Sequence, residues 1–157
     1  MAREPMSRGD LLLLATVLAG FGVITSAYLT WQWYEAATSS WCDLNQVFSC
    51  TKVRESPYAA VAGIPTATVG VAGFAILLVL GALEFRGTER LGPWAVDRWL
   101  LAFAALGSAI GVGLTLIEVF VIQAICILCV IGFALSAGIL ILAAALVRNR
   151  TALAAGA

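Results

Sequence analysis

A long apolar stretch from Trp99 to Val147 constrains the fold more than any other feature of the chain. Its only charged residue is Glu118. At about 1.5 Å per residue, a helix of this length would far exceed a hydrocarbon core about 30 Å thick. The stretch therefore predicts two membrane spans folded back on each other. The turn between them is expected near Gln123, where a polar side chain interrupts the apolar run.

Two further apolar runs precede this stretch. The first begins with basic residues, as a signal peptide does, but it exceeds the usual apolar core of about 7–15 residues and ends in the interfacial aromatics Trp31, Trp33 and Tyr34. The chain is also 62% hydrophobic and 11% charged, against about 25% charged in a soluble domain. We therefore predict a single all-α integral membrane domain over residues 1–157, a four-transmembrane-helix bundle with spans at about 11–34, 66–84, 99–122 and 125–147.

One long polar segment, residues 35–65, separates the first two spans. A short helix around Lys52–Ala62 is expected there as a cap on the bundle. Seven of the nine Lys and Arg residues lie in the N-terminal tail, the 84–98 loop and the C-terminal tail. The positive-inside rule then places both termini in the cytoplasm and the polar segment on the periplasmic side of the cell inner membrane. The turn near Gln123 falls on the same outer side.

Composition excludes several kinds of chemistry. The chain has no histidine, which removes His-ligated metals and His-based acid–base catalysis, and its net charge of zero gives no sign of nucleic-acid binding. Four cysteines remain, and the predicted topology brings all of them to the outer, oxidising face: Cys42, Cys50, Cys126 and Cys129.

The second cysteine pair, Cys126 and Cys129, forms a Cys-x-x-Cys motif at the predicted start of the fourth span. A helix N-terminus stabilises a thiolate, which favours redox chemistry. Two buried apolar cysteines, or a zinc site, are the alternatives. In the polar segment, Cys42 and Cys50 can bond to each other as a static staple or exchange with Cys126. A mobile pair above a membrane-edge pair is the layout of thiol–disulfide exchange. A lipid-soluble quinone, whose ring a thiolate can attack, is an electron acceptor suited to this position.

Three other residues are candidates for the site. Glu118 is an ionisable residue within a span, and such residues are functional by default. Its alternatives are a carboxylate that reaches the outer surface or one that pairs within the bundle. Ser56 and Thr66 lie at the boundary between the polar segment and the membrane, where physical chemistry alone predicts helix caps.

Two segments of the chain contain all four cysteines together with characteristic neighbours. The segments are Trp41-Cys42-Asp43…Phe48-Ser49-Cys50-Thr51-Lys52-Val53…Ser56-Pro57-Tyr58…Gly63-Ile64-Pro65…Val69-Gly70, and Glu118-Val119-Phe120-Val121-Ile122…Ile125-Cys126-Ile127-Leu128-Cys129. Both segments resemble the vitamin K epoxide reductase family, and the second resembles its bacterial branch. The resemblance extends over about residues 11–147 and includes the order and spacing of the cysteines.

The resemblance implies a four-helix bundle that holds a quinone near the outer surface, beneath a cap formed by the first loop. It implies that Cys129 faces the quinone and that Cys126 exchanges with the loop through Cys50. Cys42 would then meet an external thiol partner. Ser56 matches a serine or threonine that the family places beside the site.

Two positions depart from the vertebrate members of this family. Those members have asparagine where this chain has Thr66 and tyrosine where it has Phe133. The vertebrate side chains bind the vitamin K head group, so the departures argue against epoxide reduction. Many bacterial members also carry a fused thioredoxin-like domain, whereas this sequence stops at Ala157. A separate thioredoxin-fold partner is therefore expected.

These observations predict a membrane thiol:quinone oxidoreductase that supports disulfide bond formation. Electrons would pass from the thioredoxin-fold thiol oxidase through the four cysteines to the membrane quinone pool, either menaquinone, ubiquinone or a vitamin K-type quinone. One alternative is a quinone or vitamin K epoxide reductase that produces reduced quinone. The alternative of another class is a non-catalytic tetraspan scaffold, in which Cys42 and Cys50 form a structural disulfide.

Overall fold

The computed structural model of the protein describes residues 6–35 and 40–156, and it is dominated by long helices. Arg3 of the basic tail and residues 36–39 of the predicted outer loop lie outside these ranges. The elements in chain order are α1 (Arg8–Glu35), α2 (Cys50–Glu55), β1 (Ala60–Val61), β2 (Ile64–Pro65), α3 (Thr66–Phe85), β3 (Arg90–Leu91), β4 (Trp94–Ala95), α4 (Val96–Ile117), a π-helical turn (Glu118–Ile122) and α5 (Ile127–Ala155).

Among the described residues, four helices are long and apolar enough to cross a membrane: α1, α3, α4 with its π-helical turn, and α5. The prediction of an all-α bundle with four spans is therefore confirmed. Two helices extend beyond the predicted spans. Helix α4 begins at Val96 rather than at residue 99, and α5 continues to Ala155 rather than ending at residue 147. Polar residues at helix ends can continue the backbone hydrogen bonding beyond the apolar segment that hydropathy detects.

Local sequence explains where several helices begin. Ser7 precedes α1 and forms a capping box with Asp10, since the Asp10 N–H donates to Ser7 Oγ at 3.2 Å and the Ser7 N–H donates to the Asp10 carboxylate at 3.3 Å. Ser49 caps α2 in a similar way by accepting the Lys52 N–H at 3.2 Å. A short antiparallel hairpin precedes α3, and another precedes α4.

The helices pack as an up-and-down bundle. Helix α1 contacts α3 and α5, and α4 contacts α5 and α3. The buried core is built from apolar side chains of all four long helices: Leu11, Leu12, Ala15, Ala19, Phe74, Leu77, Leu80, Val96, Leu100, Ala104, Ile139, Ala143 and Leu146.

An ion-pair network joins all four long helices at one end of the bundle. Arg8 of α1 pairs with Glu84 of α3. Asp97 of α4 lies 2.7 Å from the Nε of Arg150 in α5 and 3.7 Å from Arg8. Both carboxylates are buried. The start of α1 and the end of α5 therefore lie at the same end of the bundle, as an even number of spans requires.

The opposite end is covered by residues 40–65, which we call the outer segment because the sequence predicts that they face the outer side of the membrane. The predicted short cap helix is present, but it occupies Cys50–Glu55 rather than Lys52–Ala62. The chain leaves the helix at Ser56 and then forms the β1–β2 hairpin, whose turn residues Ala62 and Gly63 have φ values of 52° and 80°. Two consecutive positive φ values suit a tight hairpin turn and are incompatible with a continued helix.

Candidate redox centre

The centre begins with a disulfide in the outer segment. Cys42 and Cys50 are bonded with an S–S distance of 2.06 Å, and both are buried. The backbone around them is organised by Asp43, whose carboxylate accepts the N–H groups of Ser40 at 2.9 Å and Thr51 at 3.0 Å. It also accepts the hydroxyls of Ser49 and Thr51, at 2.9 and 2.5 Å. Burial raises the pKa of Asp43, but these hydrogen bonds outweigh it and hold the pKa well below the ordinary value.

The outer segment is docked onto the connection between α4 and α5. Phe48 and Ile125 form an isolated parallel bridge. The Ile125 N–H donates to the Val47 carbonyl at 2.7 Å, and the Ser49 N–H donates to the Ile125 carbonyl at 3.2 Å. The predicted turn is also present, because Gln123 has a left-handed conformation with φ of 55°. These bonds place Cys50 directly above the start of α5.

Three sulfur atoms meet at this junction. Cys126 is the N-cap residue of α5, and its Sγ lies 3.1 Å from the Sγ of Cys50 in the loop disulfide. Cys129 lies in the first turn of α5 and packs against the cluster that contains Cys50 and Cys126. Cys126 and Cys129 are both free thiols. Only 1% of Cys126 is exposed, whereas Cys129 is half-buried. A buried thiol therefore contacts the disulfide, and a more accessible thiol stands beside it.

Glu118 contacts the same dithiol from the end of α4. Its carboxylate accepts the Cys126 N–H at 3.1 Å, which brings it to the first turn of α5, where Cys129 lies. Its backbone carbonyl accepts the N–H groups of Gln123 and Ala124, so it also holds the π-helical turn. Only 3% of Glu118 is exposed, so the alternative in which it reaches the outer surface is wrong. None of the ion pairs recorded within residues 6–35 and 40–156 includes Glu118.

Ser56 and Thr66 lie at the rim of the outer segment. Ser56 caps the C-terminal end of α2, where its N–H and its hydroxyl both donate to the Val53 carbonyl. Thr66 is the first residue of α3, and Pro65 holds the N-cap position. The prediction of a helix cap at Thr66 is therefore wrong, because its hydroxyl instead donates to the Ala59 carbonyl at 3.1 Å and closes the base of the hairpin. The roles predicted for both residues beside a quinone stay predictions.

Phe133 lies one helical turn beyond Cys129 on α5, so the two side chains share a face of the helix. Its ring packs against Gly111 of α4, where an added Cβ would lie 2.6 Å from Cδ2 of Phe133. A separate cavity of about 510 Å³ lies between α3 and α4, in the half of the bundle that contains the ion-pair network. Its lining is apolar and includes no predicted site residue: Ala75, Ile76, Val79, Leu80, Leu83, Leu91, Trp99 and Phe103.

Sequence reasoning missed a polar chain that leads to Cys42. Ser40 Oγ lies 3.1 Å from Cys42 Sγ and donates to Gln32 Oε1 at 2.9 Å. The Gln32 amide donates to the hydroxyl of Tyr28 at 2.6 Å. The sequence contains one indication of this chain, since the polar Gln32 interrupts the aromatic end of the first apolar run. Asp43 carried no signal of its own, because an acidic residue in a polar loop is ordinarily solvated.

The fold and the cysteines define a class of protein: a multi-pass helical membrane protein in which a disulfide touches a separate dithiol. The model described as "Vitamin K epoxide reductase family" matches residues 13–144, which is most of the chain. The protein belongs to the vitamin K epoxide reductase family. Membership supports an oxidoreductase that acts on quinones in a membrane.

Proposed function

We propose that the protein is a thiol-disulfide:quinone oxidoreductase that supports disulfide bond formation outside the cell membrane. A thioredoxin-fold thiol oxidase would deliver electrons to Cys42 and Cys50. The electrons would pass to Cys126 and Cys129, and then to a quinone dissolved in the bilayer. The quinone acts here as a substrate that leaves as quinol.

One observation carries this proposal: the 3.1 Å contact between Cys126 Sγ and Cys50 Sγ. Thiol–disulfide exchange requires one sulfur to attack another through a mixed disulfide, so the two atoms must be able to meet. The exchange runs from a Cys50 thiolate to Cys126 of an oxidised inner pair. Cys42 then attacks Cys50 and releases Cys126, which leaves the outer pair oxidised and the inner pair reduced.

The redox state in the structure matches the product of that exchange. Cys42 and Cys50 are bonded, and Cys126 and Cys129 are free. The outer disulfide is then ready to oxidise the partner, and the inner dithiol is ready to reduce the quinone. Cys129 suits the quinone-facing role because it is the more accessible inner thiol and Cys126 is occupied by Cys50.

The surroundings of Cys42 fit a protein partner. The neighbouring side chains Trp41 and Leu44 are 66% and 68% exposed and offer an apolar surface beside the disulfide. Cys42 itself is only 1% exposed. Partner exchange therefore requires the segment around Asp43 to open before an external thiolate can reach the sulfur.

The topology is part of the proposal. Both termini would be cytoplasmic, and the outer segment would face the periplasm across the inner membrane. The ion-pair network supports the grouping of the termini at one end, and the positive-inside rule supplies the direction. The oxidising compartment would then lie on the side of the disulfide.

Epoxide reduction is the closest rival within the family. Thr66 donates its hydroxyl to the Ala59 carbonyl, and Phe133 has no hydroxyl. Neither position therefore offers the free polar group that vertebrate members are expected to use. Turnover of a quinone epoxide would favour the rival, and turnover of a quinone alone favours our proposal.

The proposal is tested by anaerobic quinone reduction with a reduced thioredoxin-fold partner. The native protein should turn over, and Cys129→Ala and Cys126→Ala should lose essentially all activity. Trp33→Phe is a control substitution outside the cysteine cluster. If the native protein fails with a competent partner, or if Cys129→Ala retains activity, the proposal is wrong and the scaffold alternative gains support.

A further inference from the structure

The carboxylate of Glu118 lies at the reacting thiols, and the electron path described above leaves it without a role. It is 97% buried at the junction of the π-helical turn and α5. Ionisable groups in such positions are costly unless they are paired. Yet the hydrogen-bond partner of its carboxylate among the described residues is the backbone N–H of Cys126, which is not a cation.

Quinone reduction creates a need for a proton acceptor at this point. Two electrons and two protons leave the thiols, and both protons must reach the quinone oxygens. Water is scarce inside a bundle at membrane depth, so a fixed side chain has to move the protons. Among the described residues, Glu118 is the carboxylate that meets the start of α5, where it accepts the Cys126 N–H one turn before Cys129.

We propose that Glu118 is the catalytic residue that accepts the Cys129 thiol proton and passes it to the quinone. The inference rests on the function proposed above. Glu118 takes the proton from Cys129 Sγ as that sulfur bonds to a ring carbon of the quinone. The proton then moves to the first quinone oxygen.

Glu118 is then a carboxylate again, and the second half of the step closes the balance. Cys126 attacks Cys129 Sγ, and the bond between Cys129 and the ring breaks with its electron pair left on the ring. The Cys126 proton goes to the second oxygen. Two thiols and one quinone therefore give one disulfide and one quinol, and Glu118 ends ionised as it began.

The N–H of Cys126 gives this arrangement its geometry. It donates to Glu118 Oε2 at 3.1 Å, which fixes the carboxylate at the N-terminus of α5. The partial positive charge of a helix N-terminus favours a carboxylate there and a thiolate on the same turn. The π-helical turn contributes as well, because such turns place residues out of α-helical register and are frequent at functional sites.

The alternative is a purely structural role, in which Glu118 only caps α5. Glu118→Gln separates the two roles, since its amide oxygen can still accept the Cys126 N–H but cannot take a proton. Glu118→Asp keeps a carboxylate on a side chain one methylene shorter. Glu55→Gln is the matched control, because Glu55 is an exposed carboxylate on the adjacent helix α2.

The experiment uses the full-length protein with a reduced inner dithiol, mixed anaerobically with a soluble ubiquinone analogue. Single-turnover quinone loss is followed by absorbance, and internal exchange between the two pairs is followed by acid quench and thiol alkylation. General-base catalysis contributes about 10²–10⁴-fold, so Glu118→Gln should slow quinone loss by at least about 100-fold. Internal exchange should change by less than about threefold, and Glu118→Asp should recover at least about a tenth of the native rate.

The outcomes are distinguishable. No quinone loss in the native protein refutes the proposed function itself. If the native protein reduces the quinone and Glu118→Gln does so at a rate within about threefold of the native rate, only the proton role is refuted. If Glu118→Gln slows quinone loss and internal exchange equally, Glu118 is a structural cap and the inference is also wrong.

Discussion

Neutralising Asp43 should expose the outer disulfide to attack. The disulfide is 1% exposed at Cys42 and 4% at Cys50, so an external reductant reaches it only after the segment opens locally. Asp43 holds that segment with four accepted hydrogen bonds, two on each carboxylate oxygen. Asp43→Asn keeps one oxygen and puts an amide in place of the other, where it faces the Ser40 N–H.

The magnitude follows from that lost acceptor. A hydrogen bond to a charged group contributes about 1.5–3 kcal/mol, so local opening should become easier by about 2 kcal/mol. Each 1.36 kcal/mol is a factor of ten, and the rate of reduction should therefore rise about 30-fold.

The assay measures how fast a water-soluble phosphine reduces the Cys42–Cys50 bond. It is run in a Cys126→Ala background so that internal exchange cannot contribute. Asp10→Asn is the matched control, because Asp10 is an acidic capping residue near the opposite end of α1. A rise below about threefold in Asp43→Asn, or an equal rise in Asp10→Asn, would refute the claim that Asp43 keeps the disulfide closed.

Three further predictions concern pH, the ion-pair network and helix packing. Hydrogen bonds lower the pKa of Asp43 in the folded protein, so its stabilisation is complete above the unfolded value of about 3.9 and is lost as pH falls through the lower folded pKa. Because the phosphine is itself protonated as pH falls, its rate with the native protein is divided by its rate with Asp43→Asn at each pH. This ratio should stay constant from pH 7 to about 4.5 and rise only below about 3.9. Asp97→Asn removes one of the two buried carboxylates that Arg8 and Arg150 share, and Glu84 remains as their partner. The loss of this charged contact should cost about 2 kcal/mol and lower the unfolding temperature in detergent by about 4–8 °C, while quinone reduction below that temperature persists. Gly111→Ala should crowd the Phe133 ring at a cost of about 1–3 kcal/mol, and adding Phe133→Leu should restore part of the loss; equal unfolding temperatures for the single and double variants would contradict that packing.

The span pattern was predictable because hydropathy is a local property. The apolar stretch from Trp99 to Val147 is too long for one crossing, and the structure breaks it where the polar Gln123 interrupts it. The placement of Cys126 and Cys129 at the start of the fourth span followed directly, with Cys126 at the N-cap and Cys129 in the first turn. The bounds of the short cap helix were less accurate, since it occupies Cys50–Glu55 rather than Lys52–Ala62. Hydropathy carries little information about helix bounds in a polar loop.

The polar contacts could not be predicted, because each depends on how distant segments meet. Arg8 and Arg150 were counted as cytoplasmic charges, yet they pair with buried carboxylates on other helices. Asp43 organises a loop through groups up to eight positions away. Glu118 was a candidate from its charge alone, but its contact with the Cys126 N–H requires the π-helical turn, which no pattern in the sequence indicated.

The route of the electrons is the central claim, and it depends on Cys50 rather than Cys42 meeting Cys126. A double variant, Cys42→Ser with Cys129→Ser, leaves Cys50 and Cys126 as the only cysteines. Its matched control is Cys50→Ser with Cys129→Ser, which leaves Cys42 and Cys126. Both are oxidised in the membrane, quenched with an alkylating agent and analysed by peptide mass spectrometry.

The measured quantity is the fraction of each variant that forms an internal disulfide. The 3.1 Å contact predicts that the Cys50–Cys126 bond forms in most of the first variant and that the Cys42–Cys126 bond forms in little of the control. Equal yields, or a higher yield in the control, would contradict the proposed electron path.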